Sequence, residues 1–329
     1  MIVSRTPLRI SFVGGGSDLP SFYKLEPGAV IGTAINKYIY ITVNRKFDSK
    51  IRASYSVTEI VDSVDELKHE LIRESMRLME LDGGIEITSI SDIPSAGTGL
   101  GSSSTYTVGL LNALYAYRGQ HAGAERLGME ACHIEIERCS KPIGKQDQYF
   151  AAFGGLRYFQ FNPDESVFSD PIIFNIQTKQ KLQEHLMMFY TGITRSANEI
   201  LHEQNANITS DDGKRSALRK MTQMAGELRE ALQRDNLEGF GEVLHQGWLE
   251  KRKLASGISN NRIDEWYEIA RRHGAIGGKL LGAGGGGFLL LFAPPAKQPE
   301  ILGALPNLKP MEFRFESQGS KIIYVEEND

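Results

Sequence analysis

The sequence predicts an α+β protein of two domains, divided as residues 1–175 and 176–329. Three observations carry that expectation. Strand-like and helix-like stretches are mixed in both halves. The texture changes near residue 176, beyond which several helices separated by short polar turns run from about 196 to 273. The chain has 329 residues, 41% of them apolar and 24% charged, enough for two domains of ordinary size with packed cores.

Along the chain, residues 2–13 read as strand and break at Gly14-Gly15-Gly16-Ser17-Asp18. AVIGTAINKYIYITVNRKF is β-rich, with Tyr38, Tyr40 and Thr42 alternating against Ile39, Ile41 and Val43. A charged helix is expected over 64–81, with Leu67, Leu71 and Leu78 on its apolar stripe. GGIEITSISDIP is a further strand, ending at Pro94 before SAGTGLGSSST, residues 95–105. Tyr106, Leu110, Leu114 and Tyr117 then recur at helical spacing, and another helix covers 124–139. After the helices of the second half come GAIGGKLLGAGGGGFLLLF, a break at Pro294-Pro295 and a final hairpin, MEFRFESQGSKIIYVEE. The glycine clusters are the only low-complexity tracts.

Bulk properties exclude several classes. A net charge of −4 and a pI near 6.0 leave no basic platform for nucleic acid or anionic membrane. Cys132 and Cys139 are seven residues apart in a helical stretch, which would hold their Cα atoms ~10 Å apart, too far for a disulfide. They read as buried thiols of a reducing compartment, with no cysteine–histidine pattern for zinc. The N-terminus lacks the apolar core of a signal peptide, so a cytoplasmic protein is expected. A homodimer is compatible with the sequence.

The loop at 95–105 stands between a strand and a helix starting near Ser102, where unpaired backbone N–H groups and the helix dipole favour an anion. Gly97, Gly99 and Gly101 let the backbone fold tightly around phosphate oxygens. A Walker loop is excluded, because no lysine occurs between Asp92 and Gly119. The spacing is GxGxG, not the GxGxxG of a dinucleotide fold, and neither HRD nor DFG of a protein kinase is present. An ordinary serine-capped helix stays open as the alternative. Against it stand two more clusters, Gly14–Gly16 and Gly282–Gly287, where four consecutive glycines are best read as close approach of backbone to a ligand.

PLRISFVGGGSD, PSAGTGLGSSS and GKLLGAGGGGF resemble, in order and spacing, the three signatures of the GHMP small-molecule kinases, over residues 7–288. The first of them, with YTGITRSA at 190–197, is most similar to the branch that phosphorylates D-glycero-D-manno-heptose 7-phosphate at its anomeric hydroxyl. The resemblance implies the two-domain GHMP kinase fold, an N-terminal α/β domain and a C-terminal ferredoxin-like domain with the active site between them. It implies ATP and Mg²⁺, with Ser95, Ala96, Gly97, Thr98, Gly99, Leu100, Gly101, Ser102, Ser103 and Ser104 around the phosphates. The metal ligands carried over are Ser103 and Glu137, ten residues before the catalytic aspartate; Glu135, nearly opposite on a helix, is the competitor.

Asp147 in GKQDQYFAAFGG is the implied base or electrostatic aid to the attacking hydroxyl, and Arg9 is implied near the transferred phosphoryl group. Gly15, Gly16, Ser17, Asp18, Gln148, Gly284 and Gly285 are the implied substrate residues, with Asp18 suited to adjacent sugar hydroxyls. A substrate phosphate needs cations away from ATP, for which Lys145 and Arg195 are the candidates, ahead of Arg157. The first signature lacks the Gly-Glu-His-Thr-Asp of galactokinases, which argues against galactose. A kinase of another sugar such as fucose, a catalytically silent sugar and ATP binder, and a dinucleotide-dependent oxidoreductase remain the rival readings.

Overall fold

The computed structural model describes residues 1–94, 97–194 and 197–326. Its first half is built on two long paired strands, β1 (Ile2–Val13) and β2 (Gly28–Arg45), joined through a glycine loop and the single-turn α1 (Pro20–Tyr23). Both are rich in β-branched residues and buried along most of their length. The far half of β2 pairs with β5 (Ile85–Ser91), which runs parallel to β3 (Ile51–Ser54); β4 (Thr58–Val61) closes that edge. The near half pairs with β6 (Leu156–Phe161), itself paired with β7 (Val167–Pro171).

Helices α2 (Glu70–Leu78), α3 (Ser102–Tyr117), α4 (Ala124–Cys132) and α5 (Gln146–Phe153) belong to this half. SSSTYTVGLLNALYAY is nonpolar on nearly every face, and α3 is accordingly the buried central helix, packed on β1 and β2. Gly109 permits that contact, because a Cβ there would stand 2.7 Å from Thr6 Oγ1. Both cysteines are free, Cys132 buried and Cys139 half-buried.

After α6 (Ile176–Glu184) the chain builds a second sheet. Its strands are β8 (Leu186–Tyr190), β9 (Gly277–Leu280), β10 (Phe288–Phe292) and β11 (Lys309–Pro310), antiparallel in the order β11-β8-β10-β9. Helices α7 (Ala197–Ser210), α8 (Asp212–Gln233), α9 (Phe240–Arg252) and α10 (Asn261–Arg272) lie between β8 and β9, and α11 (Gln298–Ala304) follows β10. FLLLF of β10 is wholly buried at the centre of this sheet. Among the described residues no helix is long and apolar enough to cross a membrane.

Three expectations are corrected. The charged helix expected over 64–81 is a short 3₁₀ turn, an extended Leu67, then α2, which starts where His69 accepts from the Ile72 N–H at 3.4 Å. The helix expected over 124–139 is α-helical only to Cys132 and continues as a π-helical turn over His133–Arg138. The C-terminal segment is no hairpin: β12 (Lys321–Val325) returns to the first sheet and pairs with β1, Ile2 opposite Val325. The last residues therefore pack with the N-terminal domain, and a single division at 175 does not describe them.

Candidate active site

Two of the three glycine clusters, the loop before α3 and the β9–β10 loop, pack directly on each other at the seam between the two domains. Gly99 and Gly101 both have left-handed backbone, φ 75° and 78°, and Gly101 is the N-cap of α3. A Cβ on Gly99 would lie 2.3 Å from the Leu281 carbonyl oxygen, and one on Gly287 2.4 Å from that of Thr98. Gly284 is equally tight against the Ile258 backbone and Gly286 against Ile193 O, while the Gly285 N–H donates to Ile258 O at 2.9 Å. The expectation for the glycines at 282–287 is close approach of backbone to a ligand. At Gly284, Gly286 and Gly287 the space of a Cβ is taken by neighbouring backbone, and Gly284 and Gly285 lie against Ile258.

Under Gly101 lies an ion pair. Arg9, from the middle of β1, donates from Nε to Asp147 Oδ1 and from Nη2 to Asp147 Oδ2, both at 2.7 Å, and from Nη1 to Gly99 O at 2.6 Å. The fork fixes the carboxylate plane and ties it to the loop before α3. Arg9 is buried, whereas the Asp147 side chain keeps a quarter of its surface open. A Cβ on Gly101 would stand 3.3 Å from Asp147 Oδ2 and from Arg9 Cγ, a tight contact, and its φ of 78° favours glycine there.

Beside it, Ser103 Oγ in the first turn of α3 donates to Glu135 Oε1 at 2.7 Å, and Gln148 Nε2 donates to Glu135 Oε2 at 2.7 Å. Glu135 is buried, which pushes its carboxyl up from the ordinary value against the lowering effect of the Ser103 hydroxyl. The expected partner, Glu137, points elsewhere: its side chain is 69% exposed and bonds His133 Nδ1 at 2.8 Å. This corrects the assignment carried over from the resemblance. Two residues along a helical turn reverse the face, and the wide turn over 133–138 sets which glutamate goes inward. Gln148, expected at the substrate, is wholly buried on Glu135 instead.

The first glycine loop is the third wall. Asp18 is buried and accepts from Gly16 N at 2.8 Å, Gln146 N at 3.1 Å and Gln146 Nε2 at 3.1 Å. Burial raises its pKa, partly offset by those N–H donors. Ser17 Oγ donates to Gly14 O and Ala29 O, so this side chain, expected at the substrate, closes the loop on itself. Lys145, expected at a substrate phosphate, is engaged by Glu165, and its ammonium sits 4.4 Å from the Tyr23 ring centre. Arg157 bonds Gly154 O and Ser169 Oγ. Ser95, Ala96 and Arg195 lie outside the described residues.

Sequence reasoning overlooked two lysines. Lys251 of α9 and Lys279 of β9 are buried in the seam, Lys251 Nζ 3.5 Å from Gly15 O and Lys279 Nζ 3.0 Å from Phe12 O. Burial pulls Lys251 down to about 8, with Asp18 opposing, and Lys279 well below the ordinary lysine value. Lys279 stands inside GKLLGAGGGGF and could have been noticed there; Lys251 carries no local signal. Also overlooked was a cavity of about 660 Å³ that opens beside Ser102 and Ser103. Tyr55, His69 and Tyr106 supply its aromatic side and Lys68, Arg73 and Lys141 its cationic side.

Comparison with known proteins follows this geometry. The description "GHMP kinases N terminal domain" matches residues 63–155 and "GHMP kinases C terminal" residues 228–309. The D-glycero-alpha-D-manno-heptose 7-phosphate kinase of Campylobacter jejuni is 29% identical, over 97% of this chain and 98% of its own. The L-fucokinase/L-fucose-1-P guanylyltransferase of Bacteroides fragilis is 25% identical over 89% of this chain, which spans only 34% of that protein. Among solved structures, a D-glycero-D-manno-heptose 1-phosphate kinase from Bacteroides thetaiotaomicron superposes with a TM-score of 0.81 and 25% identity, covering 99% of this chain and 100% of its own. Lactococcus lactis galactokinase, complexed with galactose, shares the fold with a TM-score of 0.78 at 17% identity, covering 97% of this chain and 94% of its own.

Proposed function

Because the chain belongs to the GHMP kinase family, we propose that it transfers the terminal phosphoryl group of ATP to the anomeric hydroxyl of D-glycero-D-manno-heptose 7-phosphate, giving the 1,7-bisphosphate. The observation that carries this reading is the Arg9–Asp147 pair lying directly under the glycine N-cap of α3. A carboxylate held in a fixed plane lies beside a helix N-terminus, whose backbone N–H groups and dipole suit phosphate.

In this reading the cavity beside Ser102 and Ser103 takes the base and ribose, with Tyr55, His69 and Tyr106 offering ring faces and Lys68, Arg73 and Lys141 their charge. The backbone N–H groups of Gly97 to Ser104 hold the phosphates, and Arg9 keeps the loop and Asp147 in one register through Gly99 O. Asp147 receives the acceptor proton as the new O–P bond forms and the bond from the γ-phosphorus to the bridging oxygen of ADP breaks. An anomeric hydroxyl is more acidic than a primary alcohol, so a carboxylate suffices when proton transfer is late. Ser103 and Glu135 form a hard-oxygen pair suited to magnesium, with Gln148 holding Glu135 in place. When bound there, the ion would neutralise charge on the phosphate oxygens.

The test is ADP release from the full chain across fucose, galactose, heptoses and their terminal phosphates, with the product position read by ³¹P NMR. Release with heptose 7-phosphate and phosphorylation at C1 is expected. Comparable turnover of unphosphorylated fucose would move the assignment to the fucokinase reading, and ATP binding without ADP release would favour a silent binder.

A further inference from the structure

Among the described residues, Lys251, Lys279 and Arg9 are buried cations at the seam, and the carboxylates near them are already engaged. Asp147 is held by both arms of Arg9, and Asp18 accepts from Gly16 and Gln146. Each ammonium is left with a single backbone carbonyl, Gly15 O at 3.5 Å and Phe12 O at 3.0 Å. Their residues are 5% and 3% exposed. An ammonium has three donors, and burying two of them with only the already engaged Asp18 and Asp147 carboxylates in electrostatic reach leaves donors unmet, which is unfavourable.

The same loop is surrounded by other unpaired groups. Ser11 Oγ, Gln146 Oε1 and both polar atoms of Gln204 are buried and have no hydrogen-bond partner among the described residues. They converge on two glycines: a Cβ on Gly15 would meet Gln146 Nε2 at 3.2 Å and Ser11 Oγ at 3.5 Å, and one on Gly16 would meet Gln204 Nε2 at 2.4 Å. Buried polar atoms are nearly always paired, so such a cluster beside two unpaired cations points to a ligand with both charge and hydroxyls. It lies around the first glycine loop, where Lys251 and Lys279 reach Gly15 O and Phe12 O.

We propose that Lys251 and Lys279, with Ser11, Gln146 and Gln204, form an anion-selective acceptor subsite that takes a phosphorylated polyol by its phosphate. The inference rests on the kinase reading for the acceptor's identity, but not for the anion. The lysines give the subsite its preference for a phosphate ester over a neutral sugar. Ser11, Gln146 and Gln204 supply mixed donors and acceptors for hydroxyls.

The experiment compares the full-length protein with Lys251→Met and Lys279→Met. Binding of heptose 7-phosphate and of unphosphorylated heptose is measured by calorimetry without nucleotide, and inorganic phosphate is tested by thermal shift. The parent protein should prefer the phosphorylated sugar and be stabilised by phosphate. Each variant should lose affinity for the phosphorylated sugar on the order of 10- to 100-fold, leaving the neutral sugar and the KM for ATP unchanged. Free of ligand, the variants should melt at the parent's temperature or higher, because methionine removes an unpaired buried charge. A merely structural role predicts the reverse, a lower melting temperature with both sugars weakened equally, and would overturn the proposal. A raised KM for ATP with acceptor affinity intact would assign the lysines to the nucleotide's phosphoryl group and overturn it as well. Lysine-dependent phosphate binding without ADP release from any sugar would sink the kinase reading and leave the anion subsite standing.

Discussion

Glu135 and Glu137 separate what a motif carries from what only a backbone shows. A glutamate ahead of GKQDQY was legible as a metal-ligand candidate, yet which of two was decided by the helical register at 133–138. Glu135→Gln should raise the magnesium concentration needed for half-maximal kcat/KM, whereas Glu137→Gln, on an exposed side chain, should leave it unchanged. Equal effects would return both residues to candidacy. Asp147→Asn should lower kcat by on the order of 10²- to 10⁴-fold while ATP binding persists. Lys251 makes a pH prediction. Its folded-state value of about 8 lies below the ordinary 10.5, so between those pH values the unfolded chain binds more protons and stability rises with pH. The span corresponds to about 3 kcal/mol. Lys251→Met removes this slope, so urea melts should show the variant ahead of the parent at neutral pH, with the gap closing as pH approaches 10.5. A constant gap would mean that the lysine is not desolvated.

At the scale of elements, the glycine clusters were legible as special backbone, and their partner was not. Composition marks positions where a side chain cannot stand, but cannot say whether a ligand or another strand of the chain takes the space. Here Gly99 is pressed on Leu281 O and Gly287 on Thr98 O, so the loop before α3 and the β9–β10 loop form one clamp across the domains. Gly99→Ala would add left-handed strain of roughly 1–2 kcal/mol and a collision with a carbonyl oxygen. A melting temperature lowered by several degrees, with weaker ATP binding, is expected from scanning calorimetry and titration. An unperturbed melt would show that the clamp yields easily. Strands were legible where alternation was strong, as in β2. The α2 start and the π-helical turn were missed because a side-chain cap and one extra residue per turn leave no hydrophobic period to read.

At the scale of the molecule, the domains are joined by more than the passage near residue 175. Residues 315–325 cross back: Phe315 bridges to Ile35, Thr6 Oγ1 and Asn112 Nδ2 meet Ser320 Oγ at 2.7 and 2.9 Å, and β12 covers the outer edge of β1. A cross-chain pairing of this kind has no signature in the sequence, because KIIYV reads equally as the second arm of a local hairpin. Its consequence is that the active-site strand depends on the C-terminus. β1 carries Arg9, and with β12 gone its first residues become a free sheet edge, with Thr6 and Asn112 deprived of their half-buried partner Ser320. Removing residues 313–329 should therefore cost more than those residues' own contacts. Hydrogen exchange should rise along β1 as far as Arg9, and ATP binding should weaken although no nucleotide-cavity residue has been touched. The helices of the second half, anchored on a separate sheet, should keep their protection. If exchange instead rose evenly over both halves, the chain would behave as one cooperative unit. If β1 stayed protected, the returning strand would be an ornament on a domain that stands without it.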